Sequence, residues 1–157
     1  MGDSVRSRNP SARPVRRPKI RITDTGLAAG LLGLDADALT APTAPATGPM
    51  LETFAVNEIA RLAASSTSRL RLHRFRDHQG HEVDLVIERA DGTIVAVEIK
   101  ATSSPTVDQM RHVAWLRDRL DSVSPGAFRA GILLHTGNQE FTVGDRLRTC
   151  PIDTLWQ

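Results

Sequence analysis

The sequence contains little of what marks secreted or membrane-spanning proteins. Its one cysteine, Cys150, cannot form an intramolecular disulfide, so the chain is not a disulfide-stabilised scaffold. No apolar run reaches the roughly 18 residues that a transmembrane helix needs. The amino-terminal segment is charged and lacks the apolar stretch of a secretory signal. We therefore expect a cytoplasmic protein without a membrane partner.

Aromatic residues are also scarce: they make up 4% of the chain, and tyrosine is absent. The core must therefore be built on Leu, Val, Ile and Ala, which a hydrophobic fraction of 40% allows. A length of 157 residues is enough for one domain with a single core.

Charge is unevenly distributed, although the net value is only +2. Residues 1–21 carry seven Lys or Arg against one acid, which gives this segment +6 and leaves −4 for the rest. Arg16 and Arg17 are therefore candidates for non-specific contact with a phosphate backbone. The alternative is a disordered, solubilising arm over residues 1–18, since this segment contains three prolines and almost no apolar residues.

Residues 19–49 form a second region with a weaker pattern. Ile20 and Ile22 alternate as in a short strand, and Asp24 precedes a small helix predicted over residues 26–34. Residues 35–49 are rich in Ala, Thr and Pro and are predicted to be a linker. The main domain is expected over residues 50–157.

The pattern of the main domain is typical of a layered α/β structure. A helix is predicted over residues 50–64, followed by strands over 70–76, 82–88 and 93–100, the last two joined by the hairpin signal Asp91-Gly92. Thr106 and Gln109 form a capping box that opens a helix to about residue 120, with Val107 on its apolar face. Further strands are predicted at residues 131–135 and 146–151. The order helix–three-stranded meander–helix–strand predicts a sheet flanked by helices.

Charged residues within two of these strands carry the functional signal. Alternation along the third strand places Glu98 and Lys100 on one face. On the preceding strand the apolar residues are predicted to share a face: Val83, Leu85 and Ile87. Asp84 then lies on the other face, opposite the far end of the third strand. Two carboxylates and an ammonium are therefore expected to meet at one end of the sheet.

This grouping of charges has a clear chemical use. Adjacent carboxylates repel each other, and a hard divalent cation such as Mg²⁺ or Mn²⁺ relieves the repulsion through oxygen ligands. Asp84 and Glu98 are thus candidate metal ligands, with Glu52 on the preceding helix as a further carboxylate. Lys100 would orient an attacking water or stabilise charge on a phosphate. The spacing alone leaves an alternative open, a charged surface hairpin in which Glu98 and Lys100 form a solvated pair.

Other polar residues near this cluster carry weaker signals. Arg74 and Arg76 alternate on the first strand and are candidates for contact with nucleic acid, although solvated edge residues would show the same pattern. The five histidines show no zinc-type spacing. His78 and His81 flank a turn and are expected to be exposed.

The central motifs resemble those of the PD-(D/E)xK nuclease superfamily, whose core is a helix, a three-stranded meander, a helix and a further strand. Val83-Asp84 takes the place of the Pro-Asp motif, without its proline, and Glu98-Ile99-Lys100 matches (D/E)xK. The resemblance implies a restriction-endonuclease-like core. It also implies a metal-dependent nuclease with Asp84, Glu98 and Lys100 as catalytic residues.

A narrower resemblance covers almost the whole chain from Pro18. Its blocks are KIRITDTGL from residue 19, GPMLETFAVNEI from 48, RFR from 74 with EVD from 82, VEIKATS from 97 and PIDTLW from 151. They are similar to an uncharacterised domain at the carboxyl end of many prokaryotic AAA-type ATPases. In that family Glu52 belongs to the first core helix, which supports its catalytic and metal-binding role. The P-loop motif GxxxxGK[ST] is absent here, so we expect no ATP cofactor and only the carboxyl-terminal part of such a protein.

These observations leave more than one function in view. The first is a Mg²⁺-dependent nuclease or nuclease-like domain acting on DNA phosphodiester bonds. The alternative is a catalytically silent DNA- or protein-binding module, a remnant of the carboxyl-terminal part of an ATPase, with a protein partner or a second copy of itself. A third is a decayed gene fragment that folds poorly.

Overall fold

The structure, a computed structural model, describes residues 22–40 and 45–157. The predicted disordered arm, with Arg16 and Arg17, and the strand position Ile20 lie outside the described residues. The described elements in chain order are α1 (Thr25–Leu31), α2 (Ala36–Thr40), α3 (Thr47–Ser65), β1 (Leu70–Arg76), β2 (Glu82–Arg89), β3 (Ile94–Lys100), a 3₁₀ turn (Val107–Met110), α4 (Arg111–Val123), β4 (Phe128–His135), β5 (Phe141–Gly144), β6 (Leu147–Pro151) and a second 3₁₀ turn (Ile152–Trp156).

The first helix, α1, follows Asp24 as the sequence predicts, and the Asp24 side chain caps it. Asp24 Oδ1 accepts a hydrogen bond from Leu27 N at 2.9 Å, which satisfies a free amide of the first turn. The helix ends at Leu31, before the predicted end at residue 34, because Gly33 adopts a left-handed φ of 65°. Ile22 lies in irregular backbone before the helix, so the structure shows no strand at this position.

Part of the predicted linker is helical. Asp35 Oδ1 accepts a hydrogen bond from Ala38 N at 2.7 Å and so caps the short helix α2. The Thr47 hydroxyl donates to the carbonyl of Leu39 at 2.7 Å, which joins α2 to the start of α3. A segment rich in Ala therefore forms helix once an Asp side chain caps it.

Six strands form one sheet in the order β1-β2-β3-β4-β6-β5 within the described residues. The first three are antiparallel neighbours, as the predicted meander requires. β4 is parallel to both β3 and β6, and β5 is antiparallel to β6 at the edge. The sequence does not predict β5, which has four residues and no alternating pattern.

Helices cover both faces of the sheet, and the core is divided accordingly. On one face α3 packs on the strands through a cluster of buried residues: Ala55, Val56, Ile59, Leu85, Val97, Ile99 and Leu134. On the other face the first 3₁₀ turn and α4 contribute to a second cluster: Val83, Val86, Ile94, Ala96, Met110, Val113, Leu116, Phe128, Leu133 and Leu147. The protein is therefore a mixed α/β domain with a six-stranded sheet flanked by helices.

The helix after the third strand starts with the predicted capping box. The Thr106 side chain accepts from the backbone of Gln109, and Thr106 N donates to Gln109 Oε1 at 2.9 Å. Its first turn is a 3₁₀ turn, however, and Val107 is 66% exposed. The prediction that Val107 belongs to the apolar face is wrong, because three residues per turn rotate it away from the α-helical stripe.

Candidate functional site

The carboxyl ends of three parallel strands meet at one edge of the sheet. The strand register places Lys100 of β3 beside His135 of β4, and His135 beside Pro151 of β6. We call this end of the sheet the carboxyl edge. β2 runs in the opposite direction, so its first residues also lie here. Asp84, Glu98 and Lys100 are thus at the same edge, as predicted from the hairpin.

Asp84 and Glu98 are neighbours across β2 and β3. The backbone ladder between these strands ends at the pair Leu85 and Val97, which makes the two carboxylates the next residues along. Beyond that pair, Ile99 N donates to Asp84 Oδ2 at 3.0 Å. Asp84 is buried, with 8% of its surface exposed, and this hydrogen bond fixes its carboxylate against β3.

A β-bulge in β2 sets the position of Asp84. The register with β1 shifts between His73, opposite Val86, and Phe75, opposite Val83, so β2 has one extra residue there. Val83 consequently packs in the α4 cluster while Leu85 packs in the α3 cluster. The prediction that Val83 and Leu85 share a face is therefore wrong, since the bulge interrupts the alternation.

Glu98 is the most constrained member of the group. Only 7% of the residue is exposed, and its Oε1 accepts a hydrogen bond from Lys100 Nζ at 2.7 Å. Its Oε2 is buried and has no hydrogen-bond partner among the described residues. Burial, with the negative charge of Asp84 beside it, raises the pKa of Glu98 to about 7, although Lys100 opposes the shift. A protonatable carboxylate therefore lies beside Asp84, and one of its oxygens accepts no hydrogen bond from the described residues.

Lys100 is half-buried, with 38% of its side chain exposed. Burial alone would lower the pKa of its ammonium, but the hydrogen bond and charge of Glu98 raise it above the ordinary value. The charges of Asp84 and Glu52 act in the same direction. Lys100 therefore stays protonated, and its side chain lies between the buried carboxylate of Glu98 and solvent.

Glu52 lies on the first half of α3, and its charge reaches Lys100. Among residues 22–40 and 45–157, however, no group of three or more His, Cys, Asp or Glu side chains is placed to hold a metal ion. The structure thus brings together two carboxylates and an ammonium. It leaves Glu52 as an electrostatic neighbour of Lys100, and its role as a metal ligand stays a prediction.

The two arginines predicted to contact nucleic acid are paired with one carboxylate. Arg74 Nη2 binds Glu82 Oε1, and Arg76 Nη1 lies 3.6 Å from Glu82 Oε2. Glu82 therefore partly neutralises both guanidinium groups. Their contact with nucleic acid stays a prediction. A phosphate would have to compete with the Glu82 carboxylate for the two guanidinium groups.

A histidine that the sequence does not single out also lies near the site. His112 Nδ1, on the first turn of α4, is 3.1 Å from the carbonyl oxygen of Glu82. Burial, with the charges of Arg111, His81 and Lys100, holds the pKa of His112 below its usual value. Since Glu82 and His112 are 30 residues apart in sequence, no local pattern could have predicted this contact.

His81 supports the His112 ring from the side. Its ring stacks on Trp115 at 3.9 Å with an interplanar angle of 8°, and it meets His112 edge-on at 5.8 Å. His81 Nδ1 lies 2.8 Å from Asp77 Oδ2. The prediction that His81 is exposed is wrong, because Trp115 of α4 covers one face of its ring.

No helix in the described part of the chain is long and apolar enough to cross a membrane.

Residues 47–155 match the model of a protein family described as a Domain of unknown function (DUF4143). The chain is also similar to the Uncharacterized protein Rv2008c of Mycobacterium tuberculosis and the Uncharacterized protein Mb2031c of Mycobacterium bovis, at 31% identity over 147 residues in each case. These alignments cover 94% of this chain and 30% of each relative, so the chain spans less than a third of their length. No solved structure matches the chain significantly. Because the family model covers more than half of its residues, the chain belongs to the DUF4143 family.

Proposed function

We propose that this protein is a nuclease or nuclease-like domain of the PD-(D/E)xK type, with a restriction-endonuclease-like core, that acts on DNA phosphodiester bonds with Mg²⁺ or Mn²⁺. The observation that carries the proposal is the environment of Glu98. In the part of the chain that the structure describes, its Oε2 is buried without a hydrogen-bond partner, while its Oε1 is bound by Lys100. A buried carboxylate oxygen without a partner is costly, and a cation would satisfy it.

The residues present fit a hard divalent cation. Asp84 and Glu98 supply carboxylate oxygens, and Mg²⁺ is commonly held by one or two carboxylates together with waters and substrate phosphate. The lack of a third metal-binding side chain within the described residues is therefore compatible with such a site. When bound, the ion would polarise a phosphoryl oxygen and acidify a water.

The chain's own residues would supply the remaining functions. Asp84 is held in place by Ile99 N, so its carboxylate is already oriented before any ligand arrives. Lys100 keeps its positive charge, and its ammonium would stabilise negative charge that develops on a phosphate. Partial exposure of Lys100 leaves room for substrate at the carboxyl edge.

Calorimetric titration with Mn²⁺, followed by plasmid nicking, tests this proposal. We expect Mn²⁺ binding and nicking by the unchanged protein, and the loss of nicking in Asp84→Asn and Lys100→Met. Asp84→Asn should also weaken Mn²⁺ binding by roughly tenfold or more. Glu140→Gln, which alters an exposed carboxylate paired with Arg148, is the matched control and should leave both unchanged. The absence of Mn²⁺ binding would exclude the metal site.

The alternative is a catalytically silent module that binds DNA or protein. Within the described residues no three His, Cys, Asp or Glu side chains are grouped to hold a metal ion, which favours this alternative over a complete three-ligand site. Retention of DNA without metal, unaffected by Asp84→Asn and without cleavage, would be its signature.

A further inference from the structure

Arg111, the first residue of α4, is held in one orientation by two neighbours in sequence. Its Nε donates to His112 Nε2 at 3.3 Å, and its Nη1 donates to Asp108 Oδ2 at 2.7 Å. Within the described residues its Nη2 makes no hydrogen bond or ion pair, and 63% of the side chain is exposed. An exposed arginine that is already oriented loses less side-chain entropy when it binds a ligand.

The His112 ring that orients Arg111 is itself fixed. His112 Nδ1 lies 3.1 Å from the carbonyl oxygen of Glu82 and 3.3 Å from its backbone N. In the tautomer whose Nε2 accepts from Arg111, Nδ1 carries the proton and donates to the carbonyl of Glu82. Glu82 is the first residue of β2, the strand that carries Asp84. Arg111 is therefore attached, through His112, to the strand of the candidate metal ligand.

Arg111 also belongs to the same electrostatic neighbourhood as Lys100. Both cations act on the His112 imidazole and help to lower its pKa. α4 starts from the connection that follows β3, so its first turn lies at the carboxyl edge. An anionic ligand bound at that edge would lie in the field of two cations, the guanidinium of Arg111 and the ammonium of Lys100.

We infer that Arg111 contacts a phosphate of a DNA strand bound over the carboxyl edge, and that His112 and Asp108 position it. This inference rests on the proposed function, which supplies the phosphodiester ligand. A guanidinium presents paired donors that match phosphate oxygens. Arg74 and Arg76, the arginines predicted from sequence, share the carboxylate of Glu82, and Arg111 is paired with Asp108. Arg111 differs from Arg74 in exposure, since 63% of its side chain is exposed against 25% for Arg74.

DNA binding by the full chain tests this inference without requiring turnover. A short labelled duplex would be titrated by fluorescence anisotropy with Ca²⁺ in place of Mg²⁺, at several salt concentrations. Arg111→Ala should lower affinity about tenfold and reduce the slope of log affinity against log salt by about 1. Alanine is favourable in a helix, so α4 should remain folded. Arg129→Ala, an exposed arginine at the opposite end of the sheet, is the matched control and should change neither quantity.

Variants of His112 separate positioning from direct contact. His112→Ala should lower DNA affinity less than Arg111→Ala does, and His112→Gln, which keeps an acceptor for Arg111, should restore it. Equal effects of Arg111→Ala and Arg129→Ala would overturn the inference, as would an unchanged protein that does not bind the duplex. Failure of the metal-dependent function would be seen in a different measurement. An absence of Mn²⁺ binding would not change the effect of Arg111→Ala on DNA affinity.

Discussion

At the scale of single residues, the site depends on how far Glu98 is removed from water. The sequence predicts that Glu98, Lys100 and Asp84 meet, because strand alternation and the Asp91-Gly92 turn determine their approximate positions. It does not predict that Glu98 is only 7% exposed, or that one of its oxygens has no partner within residues 22–40 and 45–157. That depends on the helices packed on both faces of the sheet, which local patterning cannot specify.

The first prediction concerns stability and pH. The pKa of Glu98 rises from 4.5 to about 7 on folding, chiefly through burial, so the native state holds a proton that the unfolded chain releases. The free energy of unfolding should therefore be highest below the unfolded pKa. It should decrease as pH rises through the folded pKa and level off above it. The total decrease due to Glu98 should be about 3 kcal/mol.

Glu98→Gln should remove this decrease and make the protein more stable than the unchanged chain above neutral pH. Urea denaturation at a series of pH values measures the free energy of unfolding of both proteins. Glu140→Gln, at an exposed position, should keep the decrease. Identical pH profiles for Glu98→Gln and the unchanged protein would contradict the prediction.

A second prediction concerns metal affinity. A cation binds the deprotonated carboxylate, so Mn²⁺ at the proposed site would have to displace the proton of Glu98 below its pKa of about 7. Apparent affinity should rise up to about tenfold per pH unit below that value and change little above it. Calorimetry over the same pH series measures the trend, and an affinity independent of pH would show that Glu98 is not a ligand.

At the scale of elements, the sequence predicts helices, strands and caps that depend on local residue patterns. It misses features that depend on which strands pair with each other. The meander strands and the capping box at Thr106 are found where their patterns indicate. The bulge at Asp84 is not predicted, because it depends on which residue of β1 lies opposite. β5 is missed since its four residues pair with β6 without a periodic pattern of their own.

The contact between α4 and β4 gives a third prediction. A Cβ at Gly131 would lie 2.4 Å from Val113 Cγ1 and 2.6 Å from Leu147 Cδ2, inside the buried α4 cluster. Gly131→Ala should therefore destabilise the fold by about 1–3 kcal/mol through overpacking. Gly48→Ala is the matched control, because nothing lies within 4 Å of its added Cβ in the first turn of α3.

Thermal denaturation followed by circular dichroism compares the two glycine variants. Gly48→Ala should be neutral or stabilising by up to about 1 kcal/mol, since Ala favours helix. A Gly131→Ala protein as stable as Gly48→Ala would show that α4 does not pack on β4 as closely as described.

At the scale of the whole molecule, the two faces of the sheet are covered and the carboxyl edge carries the charged groups. The family match covers residues 47–155, which include the sheet, α3 and α4. The excess of positive over negative charge, by contrast, lies in residues 1–21. If the chain binds DNA as proposed, its fold and its long-range attraction of DNA should depend on separate segments.

Replacement of Arg16 and Arg17 in the full chain provides a fourth prediction. The double variant Arg16→Ala with Arg17→Ala should reduce the salt slope of DNA binding by up to about 2, because two fewer counterions are released. Melting temperature and Mn²⁺ affinity should stay unchanged. A salt slope equal to that of the unchanged protein would favour the solubilising arm. A lowered melting temperature would contradict the separation of fold from charge.

The extra residue in β2 has a consequence for how the proposed site could be lost. Deletion of Leu85 would restore an unbroken alternation, with Val86 and the residues after it still paired with β3 as they are. Asp84 would then occupy the place of Leu85, opposite Val97, in the apolar layer under α3. Loss of this one codon in frame would thus separate Asp84 from Glu98. The motif residues Asp84, Glu98 and Lys100 would all still be present in the sequence.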